Sequence, residues 1–440
     1  VTRDRGVPPD SWRVEGGTPL SGTLTPSGSK NAALPILAAA LLTDREVVLR
    51  NLPAIRDVSV MLEILERLGV EVRRGEAGTV GIRAASVDPG RIDMERCRAI
   101  RASILLAGPL TARCGRAVMP PPGGDGIGRR RLDTHFLALE RMGAVVGFGH
   151  EALEFVSKRL RGCSMLLDEP SVTATENAMM AACLAEGDTV LYNAACEPNV
   201  QDLARMLTSM GASIEGSGTN RVVIRGRGGL LDGCSHTIAP DHIEIGSFIG
   251  LAACCGGPVR IREVPGEIVE PTMNGFSKLG VTVAHDGSDL LVDGSLPLEV
   301  QPDRGGAVPT LYDAPWPGFS PDLTSTAVVV ATQAVGTSLI FEKMFESRLF
   351  FVDKLISMGA GIIQCDPHRV VVSGPRRLHG TDVSSPDIRA GMALLTAALC
   401  AGGTSIIRNV RQIERGYQDL VPRLRALGAV IEAAPESGCR

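Results

Sequence analysis

Residues 56–72 read Arg56-Asp57-Val58-Ser59-Val60-Met61-Leu62-Glu63-Ile64-Leu65-Glu66-Arg67-Leu68-Gly69-Val70-Glu71-Val72. Val58, Leu62, Leu65 and Leu68 recur at helical spacing and put an apolar stripe on an amphipathic helix. Gly69 suits a left-handed C-cap, and Val70-Glu71-Val72 begins a β-branched run. The order is helix, stop, strand. The same Leu/Met-Gly pair closes a comparable segment at Met142-Gly143, Met210-Gly211, Leu279-Gly280, Met358-Gly359 and Leu427-Gly428, a period of roughly 70 residues.

Upstream in each unit lies a more apolar helix, followed by a turn and a strand. Ala32 to Leu42 precedes Val47-Val48-Leu49, Ala178 to Ala185 precedes Thr189-Val190-Leu191, and Met392 to Ala401 precedes Ser405-Ile406-Ile407. A helix apolar over most of its surface is buried, so these form an inner set that sheets shield while the amphipathic helices lie outside. Six units divide into two domains of three, each with approximate threefold internal symmetry. The polar, Gly-rich stretch from Gly226 to Thr237 is the expected boundary. Interleaved strands argue against a helical solenoid.

Composition agrees with two cores: 440 residues, 44% of them hydrophobic, exceed one ordinary domain. A net charge of -4 with both signs interspersed advertises no surface for nucleic acid or anionic lipid, so the expected partner is small. Ala32 to Leu42, the longest apolar run, falls short of the ~20 residues that span a bilayer, and Val1 to Trp12 lacks a signal pattern. A soluble cytoplasmic protein is expected. Eleven scattered cysteines, with no CxxC or HExxH spacing, predict free thiols, no metal and no cofactor.

Three places could carry chemistry. Gly28-Ser29-Lys30-Asn31 stands just before the first apolar helix, where a lysine and helix-start amides together favour an anion; an N-cap beside a solvated lysine is the plainer reading. Pro120-Pro121-Pro122-Gly123-Gly124-Asp125-Gly126-Ile127-Gly128-Arg129-Arg130-Arg131 is glycine-dense enough for a mobile lid, with three phosphate donors beside one carboxyl. Its glycine spacing and flanks do not fit a dinucleotide fingerprint. Finally, Asp241 with Glu244, Asp322, and Asp387 with Arg389 stand at the starts of apolar helices. Each alone reads as an N-cap, but equivalent positions in successive repeats converge on a cleft between domains.

Residue by residue, the chain resembles the enolpyruvyl transferases, chiefly the branch of early peptidoglycan synthesis and more remotely that of the shikimate pathway. The likeness runs from about Gly16 to about Ala433. It is carried by Ser27-Gly28-Ser29-Lys30-Asn31-Ala32-Ala33-Leu34-Pro35, Arg101-Ala102-Ser103, Gly108-Pro109-Leu110, the Gly123 to His135 loop, Ala174-Thr175-Glu176-Asn177, Glu197-Pro198, Pro321-Asp322, Glu346-Ser347-Arg348, Asp387-Ile388-Arg389-Ala390 and Arg415-Gly416-Tyr417.

The resemblance implies an α/β (α+β) fold, a two-domain inside-out barrel in which each domain is three repeats of a βαβαββ-type unit. Residues 30–236 would form one domain and residues 1–29 plus 237–440 the other, with the active site in the cleft between them. It implies transfer of the enolpyruvyl group of phosphoenolpyruvate to the 3-hydroxyl of UDP-N-acetylglucosamine, with release of phosphate, by addition and elimination. The implied catalytic residues are Lys30, Asp125, Asp322 and Arg389. Phosphoenolpyruvate would be held by Lys30, Asn31, Arg101, Arg130 and Arg389. The nucleotide sugar would meet Asn31, Arg101, Arg130, Arg131, Leu132, Asp133, Ser171, Val172, Thr173, Asp322 and Arg348.

Many members of the family carry a cysteine where Asp125 stands, and that thiolate is the target of fosfomycin. A carboxylic acid can still deliver the proton but is a poor soft nucleophile, so resistance is expected. Thr173, Arg131, Ser347 and Gln412-Ile413-Glu414 also depart from common family residues. They leave open another acceptor, such as uridine monophosphate in nucleoside-antibiotic biosynthesis. The non-enzyme reading is a nucleotide-sugar-binding regulator. Oligomeric state is left open.

Overall fold

The computed structural model describes residues 10–124, 126–128, 130–149 and 151–434. All six Leu/Met-Gly glycines lie in the left-handed region, with φ between 82° and 101°. Each closes an outer helix: Arg56–Arg67, Asp133–Arg141, Pro198–Ser209, Val269–Phe276 with the turn Ser277–Leu279, Val352–Ser357 and Leu420–Ala426. A short strand follows each. Glycine adopts that conformation without the steric cost of a Cβ, which is why the residue recurs there.

The inner helices are Lys30–Ala39, Ala107–Cys114, Val172–Leu184, His242–Cys254, Thr324–Gln333 and Ile388–Cys400. They are buried along most of their length, even where polar residues occur. One unit reads in full as Ser164–Leu166, Val172–Leu184, Glu186–Tyr192, Pro198–Ser209, Ser213–Glu215 and Arg221–Arg227, a βαβαββ order. Its first two strands are parallel and the others antiparallel. Among the described residues the strands form six small sheets, five of four strands and one of three. The fold is an α/β inside-out barrel, with helices inside and sheets outside. Among the described residues no helix is long and apolar enough to cross a membrane.

Two hydrophobic cores result. One is built from residues 32 to 238, the other from residues 12 to 24 together with 243 to 431. Strand Ser11–Gly16 pairs with both Gly403–Arg408 and Val430–Ala433, and Gly22–Leu24 pairs with Pro258–Ile261. The early strands thus complete sheets around the second core, and the chain crosses between cores twice. The crossings lie side by side: Ser29 N donates to Ala239 O at 2.8 Å and Asp241 N to Ser27 O at 2.9 Å. Gly28 is confined there, since a Cβ would sit 1.9 Å from Asn51 O. The stretch from Gly226 to Thr237, the expected boundary, holds the end of one strand and the whole of another, with residues 228–233 between them. Arg221–Arg227 pairs with Glu186–Tyr192, and Cys234–Thr237 pairs with Glu46–Arg50.

Candidate active site

A cavity of about 430 Å³ lies between the cores and is lined from both sides. Lys30 opens the first inner helix, where Ser29 Oγ accepts from Ala32 N at 3.3 Å. The Lys30 amide donates to Asp241 Oδ2 at 3.0 Å, which ties it to the second crossing. Its Nζ lies 2.9 Å from Asp57 Oδ2. Asp57 also receives Nε and Nη2 of Arg415, at 3.0 and 3.2 Å. Burial alone would raise the Asp57 pKa, but Lys30 and Arg415 outweigh it and hold the carboxyl below its ordinary value.

Asp322 follows the same plan on the opposite wall. It sits in the turn Pro321–Leu323, capped by Ser320 Oγ. Arg348 Nη2 reaches Oδ1 at 2.7 Å and Arg389 Nε reaches Oδ2 at 3.0 Å. Burial opposes ionisation, yet Arg389 and then Arg348 hold the group far below the usual carboxylate range. Arg389 is itself placed by the cap at Asp387, whose Oδ1 accepts from Arg389 N and Ala390 N. The Arg389 guanidinium lies 5.4 Å from the Tyr417 ring centroid. A buried carboxylate, Asp57, and a partly exposed one, Asp322, each between two cations, therefore face one cavity.

Of the residues expected to bind ligand, the structure brings Lys30, Asn31, Arg101, Arg130, Arg131, Ser171, Val172, Thr173, Asp322, Arg348 and Arg389 to this cavity. Leu132 and Asp133 are not among the residues that line it. The chain turns into the outer helix Asp133–Arg141 at that point, so Leu132 packs against the first core and the exposed Asp133 pairs with Arg131 at 3.0 Å. Arg101 serves the loop as well as the cavity, since its Nη2 donates to the carbonyls of Arg130 and Arg131 at 2.8 and 3.2 Å. Arg348 is buried behind Asp322 with its ring neighbour Phe345, a placement that suits holding the carboxylate in position.

Asp125 lies outside the described residues. Its flanks differ: a Cβ on Gly126 would meet nothing within 4 Å, whereas Gly123 and Ile127 are held in place. A Cβ on Gly123 would meet Arg98 O at 1.9 Å, and Ser347 N donates to Ile127 O at 3.3 Å, which joins the loop to residues around the second core. Other residues of the site went unpredicted. Glu197 Oε1 accepts from Trp316 N across the cleft at 3.4 Å, and burial pushes the Glu197 pKa up. Glu197 and Arg415 stood within the quoted motifs without an assigned role. Asp57 gave no signal, because a carboxylate in the first turn of an amphipathic helix reads as ordinary dipole pairing.

Behind Arg348 lies Glu342, fully buried, with Oε1 accepting from Phe345 N at 3.2 Å. Burial, and then the neighbouring Asp313, push its pKa up to about 9. The folded protein keeps this proton while the unfolded chain releases it above the ordinary value of 4.5. Its contribution to stability is thus complete below that value and is lost as pH rises toward 9. Glu342→Gln, neutral throughout, is expected to melt progressively higher than the parent from pH 5 to pH 9. A melting-temperature offset that stays constant over that range would refute this protonation state.

Residues 14–424 match the model of the EPSP synthase (3-phosphoshikimate 1-carboxyvinyltransferase) family. The chain belongs to that family. Two relatives within it are 54% identical, both named UDP-N-acetylglucosamine 1-carboxyvinyltransferase. That of Bradyrhizobium diazoefficiens aligns over 97% of this chain and 99% of its own. That of Treponema denticola aligns over 95% and 98%. Among solved structures, the enolpyruvyl transferase NikO from Streptomyces tendae superposes with a TM-score of 0.86 at 26% identity, covering 97% of this chain and 100% of that chain. EPSP synthase from Acinetobacter baumannii, at 17% identity and a TM-score of 0.73, shares the family's fold over 97% of this chain.

Proposed function

We propose that this protein transfers the enolpyruvyl group of phosphoenolpyruvate to the 3-hydroxyl of UDP-N-acetylglucosamine and releases phosphate, the first committed step of peptidoglycan synthesis. The observation that carries the reading is the convergence of Lys30, Arg130, Asp322 and Arg389, drawn from distant segments, on one cavity. The two 54%-identical relatives support the choice of acceptor. The domain division at residues 30–236 against 1–29 plus 237–440 belongs to the same proposal, as does a cytoplasmic role on water-soluble substrates that bears on cell shape and division.

In this reading Lys30, Arg130 and Arg389 neutralise the phosphate and carboxylate of the donor, with Asn31 and Arg101 beside them. Asp322 accepts the hydroxyl proton as the sugar oxygen bonds to C2, and Asp125 delivers a proton to C3. Loss of a proton from C3 and departure of phosphate restore the double bond. The cationic walls stabilise the shifting charge, and enclosure keeps water from the intermediate.

Purified protein with phosphoenolpyruvate and UDP-N-acetylglucosamine should release phosphate and form the carboxyvinyl ether, detected by mass. Faster turnover with uridine monophosphate would move the acceptor to the alternative reading, and no release with any uridine nucleotide would favour a binding regulator. Fosfomycin should leave the activity intact. Time-dependent inactivation with a mass adduct in the 120–131 loop would contradict Asp125 as the acid.

A further inference from the structure

Strands Thr310–Tyr312 and Gly336–Phe341 run parallel, with Tyr312 beside Phe341. The next residue in each is a carboxylic acid, Asp313 and Glu342, and both are fully buried. The chain leaving Asp313 leads to Asp322, and the chain leaving Glu342 leads to Arg348. The two acids therefore stand at the roots of the segments that carry the Asp322–Arg348 ion pair, 2.7 Å long. Together they take three consecutive amides. Asp313 Oδ1 accepts from Lys343 N, Asp313 Oδ2 from Met344 N at 3.2 Å, and Glu342 Oε1 from Phe345 N at 3.2 Å. On the outer side Lys343 Nζ lies 3.5 Å from the Tyr312 ring centroid, which closes the segment over the strand end.

Phe345 passes this constraint to Arg348. Its carbonyl accepts from Arg348 N at 3.4 Å, and its ring centroid lies 5.2 Å from the guanidinium. Arg348 has little else to place it: Nη2 reaches Asp322, while Nε is buried without a partner among the described residues. Glu342 Oε2, beside Asp313 and the Thr324 hydroxyl, is buried and accepts no hydrogen bond. A charged oxygen there would be stranded, whereas a protonated one can donate to Asp313. The charged side chains that face Glu342 are Asp313 from the neighbouring strand and Arg348 from its own segment. His368 meets it only at the backbone, where Nδ1 lies 2.8 Å from Glu342 O.

We infer that Asp313 and Glu342 are positioning residues for the transfer reaction, a carboxyl pair sharing one proton that clamps the amides of residues 343–345 and so fixes Arg348 against Asp322. This rests on the proposed enolpyruvyl transfer with Asp322 as the base. Neither acid is among the residues that line the cavity, whereas Met344, Phe345 and Arg348 are. The effect of the pair on turnover therefore runs through the segment it holds. Loss of the shared proton would set two anions side by side and loosen the clamp.

The test compares Asp313→Asn and Glu342→Gln with the parent. Asparagine cannot accept from both Lys343 N and Met344 N, whereas glutamine keeps an acceptor for Phe345 N and a hydrogen for Asp313. Asp313→Asn should lower kcat about ten- to a hundredfold and move KM for either substrate less than about threefold, the pattern of a catalytic group slightly misplaced. In the parent kcat should fall through a midpoint of about 9 as the pair loses its proton. Glu342→Gln should match the parent at neutral pH and lack that alkaline fall. Hydrogen exchange read by mass spectrometry should find the amides of residues 343–345 protected in the parent and in Glu342→Gln, and exchanging at least about tenfold faster in Asp313→Asn. The exchange arm needs no turnover, so failure of the transferase reading and failure of the clamp are told apart. If Asp313→Asn does not fold, the pH profile of Glu342→Gln decides. Unprotected amides in the parent, an unchanged kcat in Asp313→Asn, a loss confined to KM, or an alkaline fall that survives in Glu342→Gln would each overturn the inference.

Discussion

Asp322→Asn should lower kcat about a thousandfold, within the range of roughly 10²–10⁴ for loss of a general base, while the fold persists. Asparagine keeps the shape of the side chain but cannot accept a proton from the sugar hydroxyl. In the ligand-free arrangement Asp322 is itself a weak base, since Arg348 and Arg389 take one oxygen each and hold it ionised. In the proposed reaction the donor's negative charge would compete for Arg389. If that guanidinium turned to phosphoenolpyruvate, Oδ2 would be freed and the carboxylate would regain basicity, so donor binding would prepare the base. The asparagine variant should accordingly bind phosphoenolpyruvate at least as well as the parent. Phosphate-release kinetics at saturating substrate check both points, and a kcat within tenfold of the parent would remove Asp322 from this role.

Arg389→Ala and Lys30→Ala should each reduce kcat/KM for phosphoenolpyruvate by about a hundred- to a thousandfold, as for loss of one preorganised donor to developing charge. Neither should unfold the protein. Removing one partner from a buried ion pair is destabilising when it strands the other charge, and here neither is stranded. Asp322 retains Arg348 at 2.7 Å, and Asp57 retains Arg415 at 3.0 Å. Circular dichroism melts alongside the kinetics separate the effects. Near-full turnover in both variants would show that the anion site has been misplaced.

The barrel architecture was readable because it depends on local rules repeated six times. A left-handed glycine after Leu68, Met142, Met210, Leu279, Met358 and Leu427 is required by the backbone whatever surrounds it. The N-caps at Ser29, Asp241 and Asp387 were readable for the same reason. What escaped were pairings across long stretches of chain: Asp57 with Arg415, 358 residues apart, and Arg348 and Arg389 on one carboxylate. No periodicity encodes these contacts. Leu132 and Asp133, expected at the site from the resemblance, stand where the chain enters the outer helix Asp133–Arg141. Thr173 read only as a departure from the common family residue, and its contact with His135 had no signal in the sequence.

The side-by-side crossings also constrain how the molecule could be divided. Ser11 O accepts from Ala434 N at 2.9 Å, so the outermost described segments already touch. A fragment beginning at residue 237 would lack Ser11–Gly16 and Gly22–Leu24, leaving bare edges on Gly403–Arg408, Val430–Ala433 and Pro258–Ile261, whose natural fate is self-association. Splicing residue 434 to residue 10 and reopening the chain near residue 30 would instead give each half its full set of strands in one uninterrupted run. Gene fission of this protein is therefore blocked at the point its internal symmetry suggests.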